Sequence, residues 1–306
     1  MSVRGARRAA GVVLALLLVA AGPGAASAAP TQVCEQGVTP VSPAPGDVVV
    51  AQGCVAPGLV VRGDVHVLTG VEDVTLAGLR VDGDVHVAPS VSWLQVEDAR
   101  VGGDVVLARS GLVVLRQVEV AGDVRMDGPG TVAVEDSTVR GDVHGQIASF
   151  GVWRSRLFGG VDLVATDGED TATAHLRGTW VGGWVQLRHG RPSFVASTFA
   201  GGVRLVDVRG GEVCASSVGT DVELVGVRGE PEALRLGGRA LNGSCAGGPT
   251  VNPVRVAGTV RVLDGTGPPV VLDALRVGYH LGCTGNAAPP TLGDVVVLGT
   301  RSGQCA

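Results

Sequence analysis

Three groups of residues in this chain have types and spacings suited to chemistry. The first is a series of aspartates, Asp47, Asp64, Asp84, Asp104, Asp123 and Asp142, each preceded by glycine and spaced 17 to 20 residues apart. Recurring carboxylates suit a hard cation, calcium above all, because calcium takes oxygen ligands. They equally suit backbone N–H donors, which Asp side chains accept in turns. Geometry separates the two readings: calcium needs six to eight oxygens converging on a point, whereas a periodic series forms a line. The second group is imidazole. His66, His86 and His144 each lie two residues after an aspartate of the series, so alternation puts each His on the same face as its Asp. Such pairs fit zinc or a pH-sensitive patch, and equally an ordinary solvated face.

The third group is aromatic. The chain has nine aromatic residues, and seven of them, Phe150, Trp153, Phe158, Trp180, Trp184, Phe194 and Phe199, fall within fifty positions. Trp184 stands where earlier copies place the aspartate, between Gly160 and Gly202 at the equivalent positions. Phe158 is expected to point outward as well. An indole flanked by glycines makes a stacking platform for a sugar, with Arg188, His189 and Arg191 near enough in sequence to meet carboxylates or hydroxyls. The competing expectation is that the aromatics fill a wider, less regular stretch of core. The acidic run Asp167-Gly168-Glu169-Asp170, followed by His175, is the best place for a catalytic group. In a polysaccharide lyase or hydrolase it would supply an acid or a calcium ligand, with Arg188 beside the abstracted proton. No His-Glu-x-x-His or Gly-x-Ser-x-Gly sequence occurs, which removes the usual metalloprotease and serine hydrolase signatures.

The elements that must position these residues follow from a repeat. V-x-G-D-V-x-V runs from Val61 to Val67 and recurs at Val81, Val101, Val120 and Val139, with degenerate copies at Leu157, Val181, Phe199, Val218 and Val256. Most steps are 17 to 21 residues, and the 38-residue step from Thr220 to Gly258 is expected to hold two periods. Apolar residues alternate within each copy, the two-residue period of a half-buried strand. A second alternation, as in Leu112-Val113-Val114-Leu115, gives at least two strands per period. Strands returning in one direction about every 20 residues, without room for a crossover helix, must coil. The predicted fold is therefore all-β: a right-handed parallel β-helix of about 13 coils, spanning residues 46–306, with residues 29–45 as an N-terminal cap or tether. Valines stack inward, and glycine suits a bend where a side chain would crowd the next coil.

The copies from Val61 through Gly145 resemble the core repeat of bactofilins, bacterial β-helix proteins that assemble end to end, and the resemblance implies a self-associating rod. The last unit, from Val277 through His280, Cys283 and Asn286 to Cys305, resembles uncharacterised exported β-helix proteins of GC-rich bacteria. It implies export and no activity.

Composition and flanking segments set the compartment. The chain is 45% hydrophobic and 17% charged, with 49 Gly and 16 Pro, so it must bury a large core and is neither disordered nor collagen-like. A net charge of −5 argues against nucleic acid. Residues 1–28 read as a secretory signal: Arg4, Arg7 and Arg8, an apolar run from Val12 to Ala21, then Ala25-Ala26-Ser27-Ala28. No later stretch is long and apolar enough for a transmembrane helix. Six cysteines without a Cys-x-x-Cys pair read as disulfides of an exported protein. Because residues one repeat apart stack, Cys34 is paired with Cys54, Cys214 with Cys245 and Cys283 with Cys305. Together these features predict a secreted structural or binding protein without catalysis. The alternatives are a carbohydrate-binding or carbohydrate-active β-helix using the 150–199 face, and a self-assembling rod. The partner class is a polysaccharide or cell-wall component.

Overall fold

Every strand of the solenoid is short because the chain must turn a corner three times per coil. The computed structural model describes residues 30–52, 54, 57–166, 172–228, 232–241, 244–246 and 253–306. Its strands form three parallel sheets and one small hairpin, with no helix among the described residues. The first sheet has 14 strands, from Gln32–Cys34 to Thr300–Gly303. The second has 11, from Val74–Ala77 to Thr291–Leu292, and the third has 12, from Val60–Val61 to Val295–Val297. From Val65 onward a typical coil contributes one strand to each sheet, so the cross-section is three-sided, where the sequence suggested at least two strands. The extra strand is only two residues in coils such as Arg80–Val81 and Arg100–Val101, too brief for alternation to register. At about 4.8 Å per coil, the rod is on the order of 60 Å long.

In-register stacking is confirmed residue by residue. Val65, Val85, Val105, Val124, Val143 and Val161 are consecutive partners in the first sheet. All six are buried, and they belong to one continuous core. Gln32–Cys34 already pairs with Val48–Val50, so the first sheet begins inside the segment expected as a cap. All three disulfides form as paired from sequence: Cys34–Cys54, Cys214–Cys245 and Cys283–Cys305. The two terminal bridges occupy core positions. Cys34 partners Val50 and Cys283 partners Val262, both in the inward column of the first sheet.

One expectation is corrected. The 38-residue step is a single coil: Val222 pairs directly with Val260, and Val218 with Val256. The surplus residues leave the solenoid after Leu234–Gly237 and include an antiparallel hairpin, Arg239–Leu241 with Ser244–Ala246. A length of two repeats misled because an insertion need not stack. The Cys214–Cys245 bridge ties this excursion to the second sheet.

Candidate functional site

The Gly-Asp pair turns out to interlock successive coils. The backbone N–H of Asp64 donates to Asp47 Oδ1 at 2.9 Å, that of Asp84 to Asp64 at 2.8 Å, and that of Asp104 to Asp84 at 2.7 Å. Asp123 donates to Asp104 at 2.8 Å, Asp142 to Asp123 at 2.7 Å, and Gly160 to Asp142 at 2.7 Å. The hydrogen-bonding reading thus holds, except that the donor lies in the following coil and not in the aspartate's own bend. Glycine precedes each aspartate because a Cβ at Gly83, Gly103, Gly122 or Gly141 would fall on the carboxylate of the coil before it. Each Oδ1 is thereby engaged. Among the described residues no three His, Cys, Asp or Glu side chains gather as a metal-binding set. His66 and His86 stack face to face, 5.0 Å between centroids, and His86 Nε2 lies 3.8 Å from Asp84 Oδ2. His144 stands apart from them, between Arg125 and Asp162 in its column.

The ladder stops where the aromatics begin. Gly160, Trp184 and Gly202 hold three consecutive positions of the aspartate column, and the pattern resumes when Asp221 Oδ1 accepts the N–H of Thr259. Trp184 is 46% exposed and Phe158 51%. The Trp184 indole lies over Gly202, where a Cβ would overlap its ring. One flank of the ring is therefore covered, so the platform expected of an indole between two glycines has one open side. The other side borders an open groove of about 520 Å³ lined by Asp142, His144, Gly160, Asp162, Trp184 and Gln186. The aromatic cluster divides in three, with Trp153 and Trp180 half-buried between the extremes. Phe150, Phe194 and Phe199 are fully buried in the core, as the competing expectation required, while Trp184 and Phe158 face outward.

The remaining residues expected around Trp184 are not all gathered there. Arg188 reaches the groove edge but is engaged: its Nη2 meets both Asp162 oxygens, at 2.9 and 3.0 Å. Gln186 Nε2 also donates to Asp162, at 3.3 Å. His189 sits in a turn in the left-handed region, φ 62°. Arg191 opens a strand of the second sheet and bridges to Glu232 at 2.6 Å. Phe158 packs edge-on against Trp180, centroids 5.3 Å apart. It borders a separate depression with Arg140 and Glu119. Hydrogen bonds and charge from Arg100 and Arg140 hold the Glu119 carboxyl below the ordinary carboxylate range. Phe158 and Trp184 thus serve different surfaces on either side of one corner.

A second polar cleft was missed from sequence. His175, Ser193 and Glu212 are consecutive outward partners in the second sheet, with Thr173, Arg191 and Glu232 around them, enclosing about 380 Å³. The signal is present in the sequence, since all three follow from one register, but spacing singles out His175 alone. Ser193 Oγ donates to Glu212 Oε1 at 3.1 Å, and Cys245 N–H donates to Glu212 Oε2 at 2.8 Å. A serine of the Ser-His-Asp type gives its proton to an imidazole. Here it gives it to a carboxylate that also anchors the hairpin, so the trio braces the excursion. Burial lowers the His175 pKa, opposed by the charge of Glu212. The acidic run at Asp167, Glu169 and Asp170 lies outside the described residues, as does the signal segment 1–28. Comparison with protein-family models, curated proteins and solved structures returned no match for this chain.

Proposed function

We propose that the protein is an exported, non-catalytic β-solenoid that acts as a rigid binding scaffold at the cell envelope or outside it, holding a saccharide against the Trp184 groove. The observation that carries this reading is the break in the aspartate ladder after Asp142, where glycine, tryptophan and glycine hold the three positions before Asp221 and leave an indole bordering a polar groove. An exposed large aromatic beside convergent polar groups is the usual make-up of a small-ligand site. Export is supported by the signal-like sequence of residues 1–28 and by three disulfides, since such bonds persist in oxidising compartments. The non-catalytic part of the reading rests on the sequence, in which no His-Glu-x-x-His or Gly-x-Ser-x-Gly signature occurs. No helix among the described residues is long and apolar enough to cross a membrane.

A glycan array probed with the wild type and Trp184→Ala tests this reading. Binding to at least one glycan family is expected, with tenfold or greater loss in the variant. Absence of any glycan binding, or equal binding by both forms, overturns it.

A further inference from the structure

The groove beside Trp184 has a definite charge. Asp142 and Trp184 hold positions two coils apart in one column, so they stand about 10 Å from each other across the glycine at 160. That glycine leaves a notch one coil wide between a carboxylate and an indole. Asp142 has one oxygen on the N–H of Gly160, and among the described residues no guanidinium pairs with it. Asp162, on the same groove, is 50% exposed and is already balanced by Arg188. Fixed positive charge offered freely to a ligand is therefore missing from the groove, while one uncompensated carboxylate faces it. Gln186 and His144 add groups that hydrogen-bond hydroxyls.

From this arrangement we infer that the groove selects amine-bearing sugars, of the glucosamine type, over N-acetylated and uronic acid sugars. A sugar laid along the notch can set its ammonium on Asp142, a charge-assisted hydrogen bond, and its ring against the open side of the Trp184 indole. A uronate would set its carboxylate against Asp142 with no arginine free to receive it. Phe158 and Arg140 do not enter the selection, because they line the depression on the other side of the corner. The inference rests on the saccharide-binding reading above and adds the chemical class of the sugar.

The test is titration calorimetry with three oligosaccharides of equal length: glucosamine, N-acetylglucosamine and galacturonate. They are titrated into the wild type, Trp184→Ala and Asp142→Asn. Asparagine keeps an oxygen for the Gly160 N–H, so the ladder survives while the charge is removed. Glucosamine oligomers are expected to bind at least tenfold more tightly than the N-acetylated ones. Asp142→Asn should cancel that preference while leaving the N-acetylated binding intact, and raised salt should weaken only the amine ligand. Equal binding of the two, tighter binding of galacturonate, or a preference that survives Asp142→Asn overturns the amine selectivity. If those results come with loss in Trp184→Ala, saccharide binding itself stands. No binding of any oligomer overturns both.

Discussion

Asp104 shows what one side chain does in this fold. Its own N–H is bound to the coil before it, and its Oδ1 binds the N–H of Asp123 in the coil after it. Replacing it with alanine leaves that N–H without its acceptor at a half-buried corner, which costs about 1–3 kcal/mol. Asp104→Asn retains an amide oxygen and should cost much less. Urea melts of the two variants against wild type measure the difference, and equal losses would contradict the ladder. His175 gives a prediction of another kind. Burial depresses its pKa in the folded chain, whereas an unfolded imidazole titrates near pH 6.5, about its model-peptide value. Below that pH the unfolded state takes up a proton that the folded state resists, so stability present above it is lost as pH falls. Denaturation midpoints measured from pH 8 to pH 5 should decline less steeply in His175→Gln than in wild type.

Corners, more than strands, were hard to read in advance. Nine passages from the second sheet to the third use one residue in the left-handed region: Gly78, Asp98, Gln117, Asp136, Arg154, Gly178, Ala196, Ala215 and Ala274, with φ between 49° and 66°. Only two of these nine are glycine, so no single-residue signature marks them. The residue after several of these is a buried hydroxyl. Ser137, Ser155, Thr179, Ser197 and Ser216 are all buried, and Ser155, Ser197 and Ser216 accept the N–H of the equivalent residue one coil earlier. This second ladder runs opposite to the aspartate ladder, and its spacing was visible in the sequence but diluted among other serines. The valine columns were legible because inward residues must repeat to stack, and the outward Trp184 because it broke that repeat. The notch floor, the pairing of Arg188 and the separate place of Phe158 depend on side-chain direction, which spacing does not encode. At the corners, Gly178→Ala isolates backbone cost, since a Cβ there would meet nothing closer than Arg154 Cγ at 3.9 Å. It should destabilise by about 1 kcal/mol, and Ala196→Gly should stabilise by about 0.5–1 kcal/mol. Thermal melts of both variants check the pair of signs.

As a whole the molecule is a stack in which each coil touches chiefly its neighbours, so stability is distributed along one dimension. The ends have a neighbour on one side only, and there the disulfides plug the core: Cys34, Cys54, Cys283 and Cys305 are all buried. Removing the Cys283–Cys305 bridge, which closes a 22-residue span, should cost about 3 kcal/mol. Its effect should be local. Hydrogen exchange in Cys283→Ser/Cys305→Ser is expected to accelerate from Val271 onward while amides between Val105 and Val161 stay protected. Uniform loss along the rod would contradict the one-dimensional picture. The aspartate ladder also carries a direction, because every acceptor sits in the earlier coil and every donor in the later one. A chain exported amino end first delivers its windings in that same order, so each one that arrives meets an earlier winding already offering its oxygen, and the spool can wind at the pace of delivery.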